Sequence, residues 1–128
     1  MSKGEEKISL ILKKNNIKYE REKTFSDLRK GLFRFDFYLP EQKILIEYDG
    51  EAHFNNIKAF YKNNTDFIAA KERDREKNSY ALARGIKLYR IPYWDFININ
   101  TFEDLLKDKY LVKSIWHNDR ILHKINGD

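Results

Sequence analysis

Apolar positions change period along the chain, and the changes divide it into elements. Ile8, Ile11 and Leu12 recur at helical spacing behind Ser2, and Glu5 three residues after Ser2 completes a capping box. This predicts a first helix ending near Asn15 or Asn16. Ile17, Tyr19 and Phe25 stand among charged residues and predict a partly exposed strand from Ile17 to Phe25. Ser26 to Leu32, which holds Gly31, reads as a loop. Phe33 to Leu39 and Ile44 to Tyr48 read as two strands joined through Pro40 to Lys43 into a hairpin, the second packed on both faces. The mixed stretch from Gly50 to Asn64 reads as a helical turn or an ordered loop. Thr65 is then expected to cap a long helix, Asp66 to Arg84, that stops at Gly85 and leads into a strand from Ile86 to Ile91 closed by Pro92. Tyr93 to Ile99 extends the sheet or crosses it, and Thr101 is expected to cap a further helix through about Val112, ahead of a basic tail to Asp128.

The element order is therefore helix, three strands, helix, strand, an α/β (α+β) arrangement with an extra C-terminal helix. A length of 128 residues suits one domain, and 41% hydrophobic content, with 9 Phe, 8 Tyr and 2 Trp, is enough for a core. No repeat or low-complexity linker suggests a boundary, so residues 1–128 are expected to form a single domain. A formal charge of +5 favours a polyanionic partner, although charge alone is equally consistent with an ordinary basic protein. The absence of Cys excludes a thiolate zinc site and a disulfide framework. No apolar run approaches the roughly 20 residues of a membrane span, and no signal-peptide pattern opens the chain, so a cytoplasmic protein with no membrane partner is expected.

The candidate chemistry lies in the hairpin. Asp36 interrupts a strand-like run between Phe35 and Phe37, where acids are disfavoured. Glu47 and Asp49 share one face of the next strand, with the Tyr48 carbonyl between them. Converging carboxylates repel, so they must be partly protonated or neutralised by a cation, and such oxygens suit Mg²⁺, which takes one or two carboxylates plus water and phosphate. The competing explanation is a solvated acidic sheet face. Gly50 marks a sharp exit from the strand, and His53 just after it could titrate near neutrality. Asp74 lies in a charged helical run that reads first as a solvated face, but Lys71, Asp74, Lys77 and Asn78 share one stripe that could face a phosphate-binding cleft. The capping box alone accounts for Glu5.

Taken in order, Glu5, Phe35-Asp36-Phe37, Ile46-Glu47-Tyr48-Asp49-Gly50, His53 and Arg73-Asp74 resemble the PD-(D/E)XK nuclease superfamily. The branch they are most similar to contains the very-short-patch repair endonucleases and the EDxHD phage homing endonucleases. The resemblance covers about Ser2 to Tyr93. It implies a restriction-endonuclease-like core of αβββαβ order, with a mixed four-stranded sheet flanked by helices, over about residues 2–93; beyond that core, about 100–128 reads as a C-terminal helical extension. It also implies catalytic roles for Glu5, Asp36, Glu47, His53 and Asp74. Metal would be held by Asp36, Glu47 and the Tyr48 backbone carbonyl, with Asp49 as a further candidate ligand. His53 matches a histidine proposed to activate water, and Asp74 an aspartate that orients it. Two departures stand out. Asp49 replaces the motif lysine, leaving water activation to His53 or to Lys71 or Lys77. Glu51 and Ala52 occupy the stretch where the repair enzymes carry aromatic wedges.

The expected function is a Mg²⁺-dependent DNA endonuclease of phage or homing type, with Mn²⁺ able to substitute. Double-stranded DNA would be met by Arg34, Lys58, Lys62, Lys71 and Lys77, and a homodimer is left open. Two alternatives remain at this level: a structure-specific repair or junction nuclease, and a non-catalytic DNA-binding module with the nuclease fold.

Overall fold

The computed structural model describes residues 1–55 and 63–119. Helix α1 (Lys3–Lys14) begins where the pattern places it: Ser2 Oγ accepts the Glu5 N–H and the Glu5 carboxylate accepts the Ser2 N–H, each at 3.2 Å. Strands β1 (Glu20–Thr24), β2 (Arg34–Leu39) and β3 (Ile44–Asp49) follow, then helix α2 (Asn64–Ala83) and strand β4 (Lys87–Pro92). The sheet order is β1-β2-β3-β4, with the first two pairs antiparallel and β3 parallel to β4. A parallel neighbour requires a long crossover, and α2 provides it. The result is an α+β fold with an open mixed sheet flanked by helices.

Each face of the sheet carries its own core. On the α1 side Ile8, Ile11 and Leu12 pack with Phe37, Leu39, Ile44, Ile46 and Ile91. On the α2 side Tyr80 and Ala81 pack with Phe35, Leu45 and Leu88. Full burial of side chains of this size contributes about 1.5–3 kcal/mol each. Phe35 and Phe37 are two residues apart yet join opposite cores, so β2 departs from strict alternation at the intervening Asp36.

Four expectations need correction. The first strand is shorter than Ile17 to Phe25. The cap of α2 is Asn63, whose Oδ1 accepts the Asp66 N–H at 2.9 Å, and not Thr65; asparagine satisfies the free N–H groups of a helix start at least as well as threonine. Residues Tyr93–Asn98 form a 3-10 turn. The helix capped by Thr101, α3, covers only Phe102–Leu105 and does not reach Val112. Long-range bonds end it: Tyr110 is buried with its hydroxyl on Asp95, Leu111 bridges Tyr89, and the Val112 N–H donates to the Leu88 carbonyl at 2.8 Å. The expected DNA contacts Lys58 and Lys62, and the tail beyond residue 119, lie outside the described residues. Among the described residues no helix is long and apolar enough to cross a membrane.

Between β1 and β2, Arg29, Lys30 and Gly31 all have positive φ, at 47°, 53° and 79°. That conformation costs a non-glycine residue roughly 1–2 kcal/mol. A different steric demand falls on Gly4 in α1, where an added Cβ would lie 2.2–2.4 Å from three atoms of the Tyr48 ring. The prediction is that Gly4→Ala destabilises the protein by about 1–3 kcal/mol in urea denaturation, because overpacking at the contact outweighs the better helix propensity of alanine. A variant as stable as the wild type would show that Tyr48 moves aside freely.

Candidate active site

The ladder between β2 and β3 runs in register to Phe37↔Ile46, and beyond it carboxylates act as backbone partners. Glu47 Oε1 accepts the Asp36 N–H at 3.1 Å, and Asp36 Oδ2 accepts the Tyr48 N–H at 2.8 Å. The acid that breaks the apolar run is therefore also the group that spreads the strands. Lys77 Nζ, projecting from α2, donates to the same Glu47 oxygen at 2.7 Å, and both side chains are buried. Burial, together with the neighbouring Glu47 carboxylate, pushes the Asp36 carboxyl well above its usual range, and the Tyr48 N–H only partly offsets this. Glu5 adds to the negative potential at Asp36. One Glu5 oxygen holds the α1 cap and the other accepts Arg21 Nη2 at 2.8 Å. Arg21 Nε donates to the Asp36 carbonyl at 3.1 Å, and its guanidinium lies 4.6 Å from the centre of the Phe37 ring, so one cation ties α1 to the strand that carries Asp36.

One turn away along α2, a second group forms around Arg90. This fully buried guanidinium donates to Asp49 Oδ1 at 2.8 Å and to Asn78 Oδ1 at 2.7 Å, and lies 3.7 Å from Asp74 Oδ1. Asp49 Oδ2 in turn accepts Asn118 Nδ2 at 3.1 Å. Asp74 Oδ2 is 2.9 Å from His53 Nδ1, which also lies 3.5 Å from Asp49. Burial would raise the Asp74 pKa, but Arg90 and His53 hold its carboxylate below the usual range. Burial likewise disfavours a charged His53, yet Asp49 and the hydrogen-bonded Asp74 outweigh it and raise the imidazole to about 9. His53 sits in a 3-10 turn, Glu51–His53, and Lys71 Nζ donates to its carbonyl at 2.8 Å.

The structure thus divides the expected site residues into two adjoining groups. Asp36 and Glu47 meet where β2 and β3 part, with Glu5 on α1 tied to them through Arg21, and His53 and Asp74 pair beside them. Asp74 and Lys77, three residues apart, link the groups along one face of α2. Asp49, considered as a metal ligand, is fully buried with its two oxygens on Arg90 and Asn118, a geometry that serves to hold Arg90. Lys71 and Lys77, expected to face DNA, are buried as counter-charges and positioning groups, and burial pulls the Lys71 pKa down. Arg34 is exposed, 3.7 Å from Glu22. Tyr48 has its N–H on Asp36 and its ring on the α1 face against Gly4. Arg21, Arg90 and Asn118 were missed by the sequence reading, and Asn78, placed on the α2 stripe, was not foreseen as the partner of Arg90. Arg90 carried a usable signal, a charge inside the apolar run from Ile86 to Ile91, of the same kind that singled out Asp36. Among the described residues no group of three or more His, Cys, Asp or Glu side chains converges tightly enough to hold a metal alone. No family model, curated protein or solved structure matches the chain.

The raised His53 pKa makes stability pH-dependent with a defined sign. Because the folded value of about 9 lies above the ordinary 6.5, the contribution is complete below about pH 6.5 and is lost as pH rises through about 9. Urea midpoints of the wild type should fall across that window, and those of His53→Asn should fall less. Parallel profiles would show that His53 carries no excess proton in the folded state.

Proposed function

We propose that this protein is a Mg²⁺-dependent DNA endonuclease of the PD-(D/E)XK kind, most similar to the repair and phage homing branch, in which Mn²⁺ can replace Mg²⁺. The observation that carries the reading is the meeting of Asp36 and Glu47 on neighbouring strands with Lys77 on Glu47 and a His53–Asp74 pair one helical turn along α2. The αβββαβ order of the described elements is compatible with a restriction-endonuclease-like core. As a test of fit, the disfavoured ionisation of Asp36 next to Glu47 is the kind of repulsion a cation relieves. Two carboxylates also fall within the small protein ligand set that Mg²⁺ accepts. Asp36 and Glu47 would hold the ion, with the Tyr48 carbonyl as a third oxygen. When bound, it would neutralise charge on the phosphate and lower the pKa of water.

The chain's own residues then divide the work. Lys77 keeps Glu47 oriented and supplies positive charge beside the carboxylates. His53 carries its proton at neutral pH in the free protein, which suits it to donate to the leaving oxygen more than to take a proton from water. Asp74, fixed by Arg90, orients the imidazole through Nδ1. Double-stranded DNA is the proposed substrate.

Supercoiled plasmid should be cut or nicked with Mg²⁺ and left intact with chelator. Asp36→Ala should abolish cleavage while its melting temperature holds or rises, since an unfavourable buried carboxyl is removed. His53→Ala should slow cleavage by roughly 10²- to 10⁴-fold. Wild-type rates for Asp36→Ala would place the chemistry elsewhere.

DNA affinity should fall at least roughly tenfold between 50 and 200 mM salt, since backbone phosphates release counterions on binding. With Glu51 and Ala52 in place of an aromatic wedge, a G·T mismatch should be preferred over matched duplex by less than about tenfold in competition binding. A hundredfold preference would restore the mismatch-repair reading.

A further inference from the structure

The strained turn between β1 and β2 is not slack chain. Leu28 is buried beneath it, and Asp27 accepts the Tyr80 hydroxyl at 2.6 Å and Arg84 Nη2 at 2.8 Å. Arg29 holds Glu76 of α2 through both Nε and Nη2. Anchored in this way, two non-glycine residues remain left-handed, and the chain leaves the turn through Leu32, which is 72% exposed. The ring of Phe33 lies 6.0 Å from the Arg29 guanidinium and 5.8 Å from that of Arg73. Lys30 and Arg34 are exposed on either side. A surface leucine alone is ordinary. A rigid, strained turn that presents one among Arg29, Lys30, Arg34 and Arg73 calls for an occupant, and strain held in place by its surroundings is characteristic of binding segments.

We propose that this turn is a second DNA contact, in which Leu32 enters the minor groove of duplex beside the site of cleavage and Lys30, Arg34 and Arg73 meet the phosphates along the groove. The contact rests on the nuclease reading of the Asp36 site and deepens it by placing the minor groove of the duplex against this turn. Leu32 ends the turn in the right-handed helical region, two residues before β2, and lies four residues from Asp36, so the chain keeps the two at most about 14 Å apart and the groove within a few base pairs of the reacting phosphate. The chemistry favours duplex: aliphatic side chains among cations are what minor-groove proteins insert, whereas single strands are gripped by aromatic faces. Arg34–Glu22 is an exposed pair, weak enough to yield to phosphate, while Arg29 stays on Glu76 and holds the turn.

Binding of labelled duplex and of the same sequence as a single strand, in Ca²⁺ without Mg²⁺, tests the contact without relying on cleavage. Leu32→Asp should weaken duplex binding by at least about tenfold and single-strand binding by less than about threefold, while Leu32→Lys binds duplex better than Leu32→Asp. Leu32 is exposed, so unchanged melting temperatures are expected for both variants. Equal loss on duplex and single strand would overturn the groove contact, as would wild-type duplex binding by Leu32→Asp or loss of a dimer on sedimentation of that variant. Wild-type protein that binds no DNA would overturn the nuclease reading itself and the groove contact with it.

Discussion

A guanidinium removed from water must be surrounded by acceptors, and Arg90 imposes that requirement on much of the molecule. Its partners come from β3 (Asp49) and α2 (Asp74 and Asn78), and Asp49 brings in Asn118 from the C-terminal segment. Removing one member of such a buried set costs about 3–5 kcal/mol, because the remaining charge has no water to turn to. The network therefore supplies geometry more than net stability. It fixes how far along the sheet α2 lies, and with it the positions of every side chain on that helix face.

Asp74 and Lys77 illustrate the consequence. Held by Arg90, Asp74 presents one oxygen to His53 and keeps the imidazole in place and charged. Three residues later Lys77 meets Glu47, and Glu47 in turn receives the Asp36 N–H. One buried cation, one helix face and two strand-borne acids thus bring five ionisable groups into adjoining positions. Lys71 adds a bond to the His53 carbonyl, so the turn bearing the histidine is also held by α2.

Asp36 represents the opposite balance. Arg90 satisfies its surroundings, whereas Asp36 sits where its own ionisation is disfavoured and its strand has given up regular pairing with β3 to hold it. The sheet accommodates this by twisting Phe35 and Phe37 into different cores, which keeps both faces apolar despite the acid between them. Local inconsistency of this kind, with a polar group retained at a structural cost, is where function is expected to concentrate.

The helices, strands and hairpin were legible in the amino-acid pattern because each has a local cause: the Ser2–Glu5 capping box, the alternation around Pro40 to Lys43, the glycine at 85. Asp36, Glu47 and Asp74 were legible as acids out of place, and the α2 stripe of Lys71, Asp74, Lys77 and Asn78 as a single face. Their partners were not. Periodicity assigns a residue to a face but says nothing of which groups meet there, so Asp49 read as a metal ligand until Arg90 and Asn118 claimed its oxygens. The charge on His53 was likewise out of reach of the sequence, because two carboxylates, one on β3 and one on α2, set it against burial. The helix expected through Val112 failed because its residues bond to Leu88 and Tyr89, more than twenty positions away. The sequence by itself determined the places of α1, α2 and the four strands and which acids are anomalous, since those depend on near neighbours. Only the tertiary structure decided the charge state and pairing of each ionisable group, since those depend on burial and on side chains distant in the chain.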